Sequence, residues 1–188
     1  MGGFYTNYTL RGPSQPALAA VLAGRKAVVT PQNHGCVVVF DEASEGQDLA
    51  EIGELAARLS GELGCPVLAV VNHDERVFWY RLYEDGAVTD EYDSCPGCCN
   101  SSPEPARPAG GNAARLCAAF GGEDVAGVEQ VLRTPSGGEA GYGFAFERHA
   151  DLVWALGLPE FALGRSYASL ERGDYPVGLS SLDVLRTV

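Results

Sequence analysis

Three of the six cysteines of this chain fall within five consecutive positions, in the sequence Cys95-Pro96-Gly97-Cys98-Cys99. Two cysteines separated by two residues supply half of a tetrahedral zinc site, and Cys99 can act as a third ligand only with strained geometry. The same spacing serves redox chemistry when the first sulfur lies at a helix N-terminus. A proline-rich stretch follows here instead of a helix. Zinc at Cys95, Cys98 and Cys99 is therefore favoured over a catalytic disulfide.

The other cysteines leave two interpretations of this cluster open. His34 and Cys36 lie two positions apart at the start of a predicted strand, so they face the same way and are able to complete a zinc site if the fold brings them over the cluster. Alternatively, Cys36, Cys65 and Cys117 are reduced core residues, and the cluster only packs where a strand meets a linker. Cysteine usage favours the second interpretation, in which no cofactor is bound.

Histidines are the remaining candidates for acid–base chemistry. His73 lies beside Asp74 in the predicted turn Asn72-His73-Asp74-Glu75. A catalytic triad needs a nucleophile and an orienting group that converge from elsewhere, and no particular serine is singled out for that role. The turn is predicted to be a solvated polar connection. His149 is predicted to lie on the polar, exposed side of a helix.

The stretch RVFWYRLYEDGAVTDEYD, residues 76–93, combines large aromatic side chains with carboxylates. Exposed aromatic residues framed by charge are typical of a binding surface. Aromatic strands are also ordinary in buried sheets, and the strand composition favours that alternative. The candidate binding residues of this acidic aromatic ribbon are Trp79, Tyr83, Asp90, Glu91 and Tyr92.

The elements that must position these residues have a simple order. Strand, helix, strand, strand, helix and strand are predicted first, and two further strands follow. The first six elements have the order of a ferredoxin-like β-α-β-β-α-β sheet, which the last two strands extend by a hairpin. The sequence thus predicts an α+β fold. The predicted elements cover residues 4–10, 14–22, 26–30, 36–40, 49–63, 67–71, 76–83 and 87–92.

The central strands are apolar on both faces, since residues 36–40 and 67–71 contain no polar side chain. Both faces of the sheet must therefore be covered, and the two early helices can cover only one of them. We expect a sheet domain over residues 1–99, a linker over 100–112, and a mostly helical region over 113–188 on the second face.

Four helices are predicted in that C-terminal region, over residues 113–120, 123–133, 146–158 and 160–171. The third is expected to bury one face, formed by Phe146, Ala150, Val153 and Trp154.

Charge restricts the partners. The formal net charge is −12, and such a surface repels phosphate backbones and anionic lipid headgroups. Nucleic acid and membrane surfaces are therefore not expected as partners, and a basic protein fits better.

The first residues, MGGFYTNYTLRG, lack the pattern of a secretory signal, and no apolar run is long enough to span a bilayer. One lysine against twelve arginines indicates a GC-rich bacterial genome, so a cytoplasmic bacterial protein is predicted.

No catalytic constellation in the sequence is specific. The leading hypothesis is a non-catalytic protein-interaction or small-ligand-binding module that uses the acidic aromatic ribbon and the crease between the sheet and the C-terminal helices. One alternative is a small metalloprotein with structural zinc at the cysteine cluster. Another is an enzyme with its site in the same crease and His73 as acid or base.

Overall fold

The computed structural model describes residues 3–98 and 107–188 and shows a mixed α+β protein. In these ranges, eight antiparallel strands form one sheet, in the order β7-β6-β5-β4-β1-β3-β2-β8. The strands are β1 (Tyr5–Arg11), β2 (Ala27–Val29), β3 (Cys36–Asp41), β4 (Val67–His73), β5 (Val77–Glu84), β6 (Ala87–Asp93), β7 (Ala109–Gly110) and β8 (Leu185–Thr187).

Six α-helices accompany the sheet in the same ranges. They are α1 (Gln15–Val21), α2 (Leu49–Leu63), α3 (Ala113–Phe120), α4 (Val125–Arg133), α5 (Ala145–Leu156) and α6 (Tyr167–Glu171), with short 3-10 helices at Ala43–Gly46 and Glu160–Ala162. No helix in this part of the chain is long and apolar enough to cross a membrane.

Local sequence determines where α2 begins and ends. The Asp48 carboxylate accepts a hydrogen bond from the amide of Ala50 at 2.9 Å, which satisfies one of the free amides of the first turn. Gly64 ends the helix at a φ of 58°, in the left-handed region that glycine adopts without strain. The apolar face between them packs on the sheet.

Helices cover both faces of the central strands, as the apolar strands require. On the first face, α1 and α2 pack against alternate side chains of β1, β3 and β4. On the second face, α3, α4 and α5 pack against the other side chains of β4 and β5, and the segment that contains α6 packs against β2 and β3. The crease between the sheet and this C-terminal layer is therefore filled by side chains.

Part of the predicted linker belongs to the sheet. Strand β7 pairs with Tyr92 and Asp93 of β6, so residues 109–110 are not a free connection. Gly110 has a φ of 73°, and a Cβ at this position would collide with the carbonyl oxygen of Glu91. The close approach of the two backbones thus requires glycine at this position.

The C-terminal segment differs most from the prediction. A single helix was predicted over residues 160–171, but the structure has a short 3-10 helix and then α6. Gly164 separates them with a φ of 66°, and the Ser166 side chain caps α6 by accepting from the Ser169 amide. Strand β8 was not predicted, because three residues are too few for a periodic pattern.

Candidate interaction surface

The aromatic side chains of the predicted ribbon lie in the core. Trp79 and Tyr83 pack on the first face beneath α2, and Tyr92 packs on the second face beneath the C-terminal layer. The Tyr92 hydroxyl donates to the carbonyl oxygen of Leu132 at 3.1 Å, and its ring stacks on Tyr80 at 5.3 Å. These three candidate residues therefore do not form an exposed surface, because the layers on the two faces of the sheet bury them.

The two candidate carboxylates of the ribbon, Asp90 and Glu91, have partners within the protein. Asp90 accepts hydrogen bonds from the Tyr80 hydroxyl at 2.7 Å and from the Asn112 amide at 2.9 Å. Glu91 forms an ion pair with Arg81 at 2.8 Å. Burial, and then the neighbouring Asp90 carboxylate, raise the pKa of Tyr80. Asp90 is thus a structural acceptor, and Glu91 is an exposed, paired charge.

Asp90→Ala is expected to destabilise the protein by about 1–3 kcal/mol, because the buried Tyr80 hydroxyl and the Asn112 amide lose their acceptor. Chemical denaturation of the purified variant measures this loss. The double variant Asp90→Ala/Tyr80→Phe should recover part of it, since the orphaned hydroxyl is then removed. Equal stability of the Asp90→Ala variant and the wild-type protein would contradict the assigned role.

The cysteine cluster does not contain a three-ligand metal site in the described residues. Cys95 and Cys98 are joined by a disulfide, with Cα atoms 5.4 Å apart, and a bonded sulfur offers no thiolate to zinc. Within residues 3–98 and 107–188, no group of three or more histidine, cysteine, aspartate or glutamate residues is placed to hold a metal. The third predicted ligand, Cys99, lies outside the described residues.

The predicted second pair of zinc ligands lies far from this cluster. Cys36 pairs with the last residue of β1, and His34 bonds the carbonyl oxygen of Gly157 at 3.1 Å. Ser94, next to Cys95, is instead level with the first residue of β1. The length of β1, about 20 Å, separates the two levels. His34 and Cys36 therefore cannot complete a site at the cluster.

The other described cysteines are core residues. Cys36, Cys65 and Cys117 are buried and unbonded. Burial raises the pKa of Cys36 and of Cys65 to about 11, and it also raises the pKa of Cys117. A thiol with so high a pKa holds little thiolate at neutral pH, and the thiolate is the reactive and metal-binding form.

The predicted catalytic histidine is a surface residue. His73 lies at the end of β4, where its Nδ1 atom is 2.7 Å from the Gln47 side-chain oxygen. The ring of Phe4 packs edge-on against it at 5.0 Å between centroids. These contacts hold His73 at one end of the sheet, and neither partner is a nucleophile.

His149 was predicted to be exposed, but its side chain is only 2% exposed. Its Nδ1 atom lies 2.7 Å from the Tyr5 hydroxyl, and its ring stacks on Phe78 at 4.9 Å. The inward face of α5 includes His149 because a specific partner is available there, whereas the charged neighbours Glu147 and Asp151 stay more exposed. Burial lowers the pKa of His149 to about 3.

The Tyr5 and His149 pair does not support acid–base catalysis near neutral pH. Burial raises the pKa of Tyr5, and it lowers the pKa of His149. Both groups are therefore neutral at pH 7, and both pKa values move away from the range in which a side chain exchanges protons efficiently. The nearby side chains of Asn7 and Asn72 are buried, with polar atoms that lack a hydrogen-bond partner.

Three large aromatic side chains on and beside α5 face solvent. Phe144 is 57% exposed, Phe146 is 38% exposed and Trp154 is 61% exposed. The Phe146 ring lies against Gly164, and the Trp154 indole N–H donates to Glu160 at 3.2 Å. We name these three residues the α5 aromatic surface. The prediction that Phe146 and Trp154 belong to the buried face of this helix is wrong.

The turn between β4 and β5 fixes the end of this surface that contains Phe144. The Ala145 amide donates to the carbonyl oxygen of Glu75 at 2.7 Å, and the Glu75 amide donates to Gly3 at 3.4 Å. Phe4 follows Gly3 and is 53% exposed, so it lies at the same end of the sheet. The first turn of α5 is fixed further by Glu147, which accepts from the amide of Phe144 at 3.0 Å.

Comparison with protein families, with curated proteins and with solved structures finds no match to this chain. Its function is therefore inferred from the side chains of its sites.

The sequence analysis did not predict the α5 aromatic surface, although one signal for it was present. Phe144 stands at the N-cap of α5, three residues before Glu147, and a cap position lies outside the packed turns of a helix.

A second surface feature is a cleft of about 270 Å³ between β8, β2 and α6. Its charged side chains are already paired, Lys26 with Glu42 at 3.3 Å and Arg186 with Glu171. Small-molecule sites are usually about 300–1,000 Å³, mostly apolar, with a few polar groups free to bind. This cleft is smaller than that range and its charged groups are already paired, so it gives little support to the hypothesis of a small-molecule site.

Proposed function

We propose that this protein is a non-catalytic binding protein and that a protein partner docks on the α5 aromatic surface. The exposure of Phe144 and Trp154, each more than half exposed, is the observation that carries the proposal. Burial of large aromatic side chains dominates the binding energy of many protein interfaces. A tryptophan that has an apolar body and a polar N–H suits such a role, because one part packs while the other keeps a hydrogen bond.

Charge identifies the kind of partner. Glu147 and Glu160 are exposed beside the aromatic rings, and the whole chain carries a formal net charge of −12. A partner with basic residues around an apolar centre would complement this surface and would associate faster at low ionic strength. The acidic aromatic ribbon is not part of the proposed docking surface, since its aromatic residues are buried and Glu91 is paired with Arg81.

The fold fits a binding role without defining one. The order β4-β1-β3-β2 within the sheet supports the ferredoxin-like interpretation of the first six elements, and the remaining strands extend the sheet on both sides. The prediction of a cytoplasmic bacterial location is part of this proposal.

A capture experiment with matched variants tests this function. The wild-type protein, the variant Phe144→Ser/Trp154→Ser and the control variant Val177→Ser/Leu182→Ser would be immobilised and exposed to a cytoplasmic extract. The control residues are 99% and 94% exposed and lie outside the α5 aromatic surface. Wild-type and control proteins should retain the same protein, and the aromatic variant should bind it at least about 100-fold more weakly if both residues are hot spots.

Two results would contradict the proposal. Equal retention by all three proteins would exclude the α5 aromatic surface as the binding site. Self-association of the wild-type chain that the aromatic variant loses, measured by analytical ultracentrifugation, would show that a second copy covers this surface instead of a different protein.

A further inference from the structure

We propose that Cys95 and Cys98 are a redox-active pair that cycles between disulfide and dithiol by exchange with an external dithiol. Their Cα atoms are 5.4 Å apart, inside the usual range for a disulfide. The Cys98 amide donates to the carbonyl oxygen of Cys95 at 3.1 Å, and Gly97 between them has a φ of 77°. The backbone turn thus brings the two sulfurs close enough for the bond to form.

The short ring argues against a purely stabilising role. Only two residues separate the cysteines, so the bond removes little conformational entropy from the unfolded chain compared with a bond that closes a long loop. This chain is predicted to be cytoplasmic, and the cytoplasm is a reducing compartment. Disulfides in such compartments are usually transient and have catalytic or redox-sensing roles.

The two sulfurs differ in accessibility. Cys95 is buried, whereas Cys98 is partly exposed and follows two exposed residues, Pro96 and Gly97. An external thiolate can therefore reach the Sγ atom of Cys98 more easily. A carboxylate oxygen of Asp93 accepts a hydrogen bond from the Cys95 amide at 2.8 Å, which fixes the backbone at the buried sulfur.

The exchange is balanced with a dithiol as the reductant. A thiolate of the dithiol attacks Sγ of Cys98, the bond between the two protein sulfurs breaks, and Cys95 leaves as a thiolate that takes up a proton. The second thiol of the reductant, as a thiolate, then attacks the reductant sulfur that is bonded to Cys98. This attack closes the reductant into a ring and releases Cys98 as a thiol. Two electrons and two protons pass to the protein, and the reductant becomes a cyclic disulfide. The reverse sequence restores the bond.

The pair lies next to a junction of the fold. Ser94 exchanges two hydrogen bonds with Phe78, through its own amide and through its hydroxyl. Its carbonyl oxygen accepts from the Ser136 hydroxyl at 2.9 Å, and that hydroxyl accepts from Arg148 at 3.1 Å. Opening the ring beside Ser94 would loosen the end of β6 and its connection to the C-terminal layer.

The test uses the full-length chain and dithiothreitol as the dithiol probe. The protein would be equilibrated with mixtures of reduced and oxidised dithiothreitol in the presence of a metal chelator. After an acid quench, the protein would be unfolded in denaturant, its free thiols would be alkylated, and the modified cysteines would be located by mass spectrometry. The proposal predicts that Cys95 and Cys98 become alkylated together in a single reversible two-electron transition. Cys36, Cys65 and Cys117 are unbonded, so they should be alkylated at every mixture and serve as the internal reference.

Single substitutions assign the pair. Cys95→Ser and Cys98→Ser should each abolish the transition, and Cys99→Ser should leave it unchanged. Absence of the transition in the wild-type chain, or its loss in the Cys99→Ser variant, would overturn the proposal.

Hydrogen exchange gives a second readout, in which the Phe78 amide should exchange several-fold faster in the reduced protein. Equal exchange rates would overturn the coupling to the junction.

Discussion

Replacing Arg148 with alanine is expected to lower the free energy of unfolding by about 3–5 kcal/mol, since the change leaves a cavity and removes partners from several buried polar groups. Arg148 is fully buried. Its Nη1 atom donates to the Tyr92 hydroxyl at 2.9 Å and to the Val131 carbonyl oxygen at 2.6 Å. The guanidinium also lies 4.3 Å from the centre of the Tyr142 ring. One side chain thus joins β6, α4, α5 and the loop between the two helices.

The environment of Arg148 is unusual for a buried cation. Its hydrogen-bond partners in the described residues are two hydroxyls and a carbonyl oxygen, none of which is an anion. Burial lowers the pKa of this side chain, and Tyr92 and Tyr142 partly oppose that shift. The charge is therefore stabilised by aromatic faces and dipoles, which compensate desolvation less fully than a carboxylate would.

Two variants separate the contributions of charge and volume at this position. Arg148→Met has similar length and no charge, so it should lose at least about 2 kcal/mol less stability than Arg148→Ala. The exposed Arg58→Ala variant is the control, with an expected loss below about 1 kcal/mol. Urea unfolding curves provide all three values. A loss below about 1 kcal/mol for Arg148→Ala would contradict its role as a junction.

The second large effect is a dependence of stability on pH through His149. Burial lowers the pKa of its imidazole to about 3 in the folded protein, whereas an unfolded histidine has a pKa of about 6.5. Below pH 6.5 the unfolded chain therefore binds a proton that the folded chain does not bind. The stability present above pH 6.5 should fall by about 1.4 kcal/mol per pH unit until the pH approaches 3, a loss of about 2 kcal/mol at pH 5.

A matched variant isolates this contribution from that of the carboxylates. Tyr5→Phe/His149→Phe removes the titrating group and also the hydroxyl that would otherwise lose its acceptor. The free energy of unfolding would be measured for both proteins at pH 7.5 and at pH 5. The wild-type protein should lose about 2 kcal/mol more than the variant between these two pH values. His34→Gln, at an exposed histidine, should show the wild-type loss, and equal losses in all three proteins would contradict a neutral buried His149.

The first half of the fold was predictable because its signals are local. Strands that are apolar on both faces, such as residues 36–40, predict a covered sheet from the side-chain types alone. Asp48 and Gly64 similarly mark the ends of α2 with residues whose conformational preferences are strong. Strands β7 and β8 have two and three residues, and such short strands form only because a neighbouring strand is already in place.

The orientation of α5 could not be predicted because it depends on distant partners. Its inward face contains Arg148 and His149, which are polar residues that hydrophobic periodicity assigns to solvent. Tyr92 and Tyr5 make their burial possible, and these residues are 56 and 144 positions away in the chain. Once the polar pair turns inward, Phe146 and Trp154 rotate outward. The burial of Arg148 and His149, which the hydrophobic pattern does not predict, thus explains the exposure of Phe146 and Trp154.

The most direct test of the proposed function is site-specific photo-crosslinking at this surface. A photoreactive amino acid would replace Phe144 in one protein, Trp154 in a second and the fully exposed Val177 in a third. The proposal predicts one discrete cross-linked partner at positions 144 and 154, more basic than this chain, and none of it at position 177. Equal cross-linking at all three positions, or none at 144 and 154, would contradict a docking role for the α5 aromatic surface.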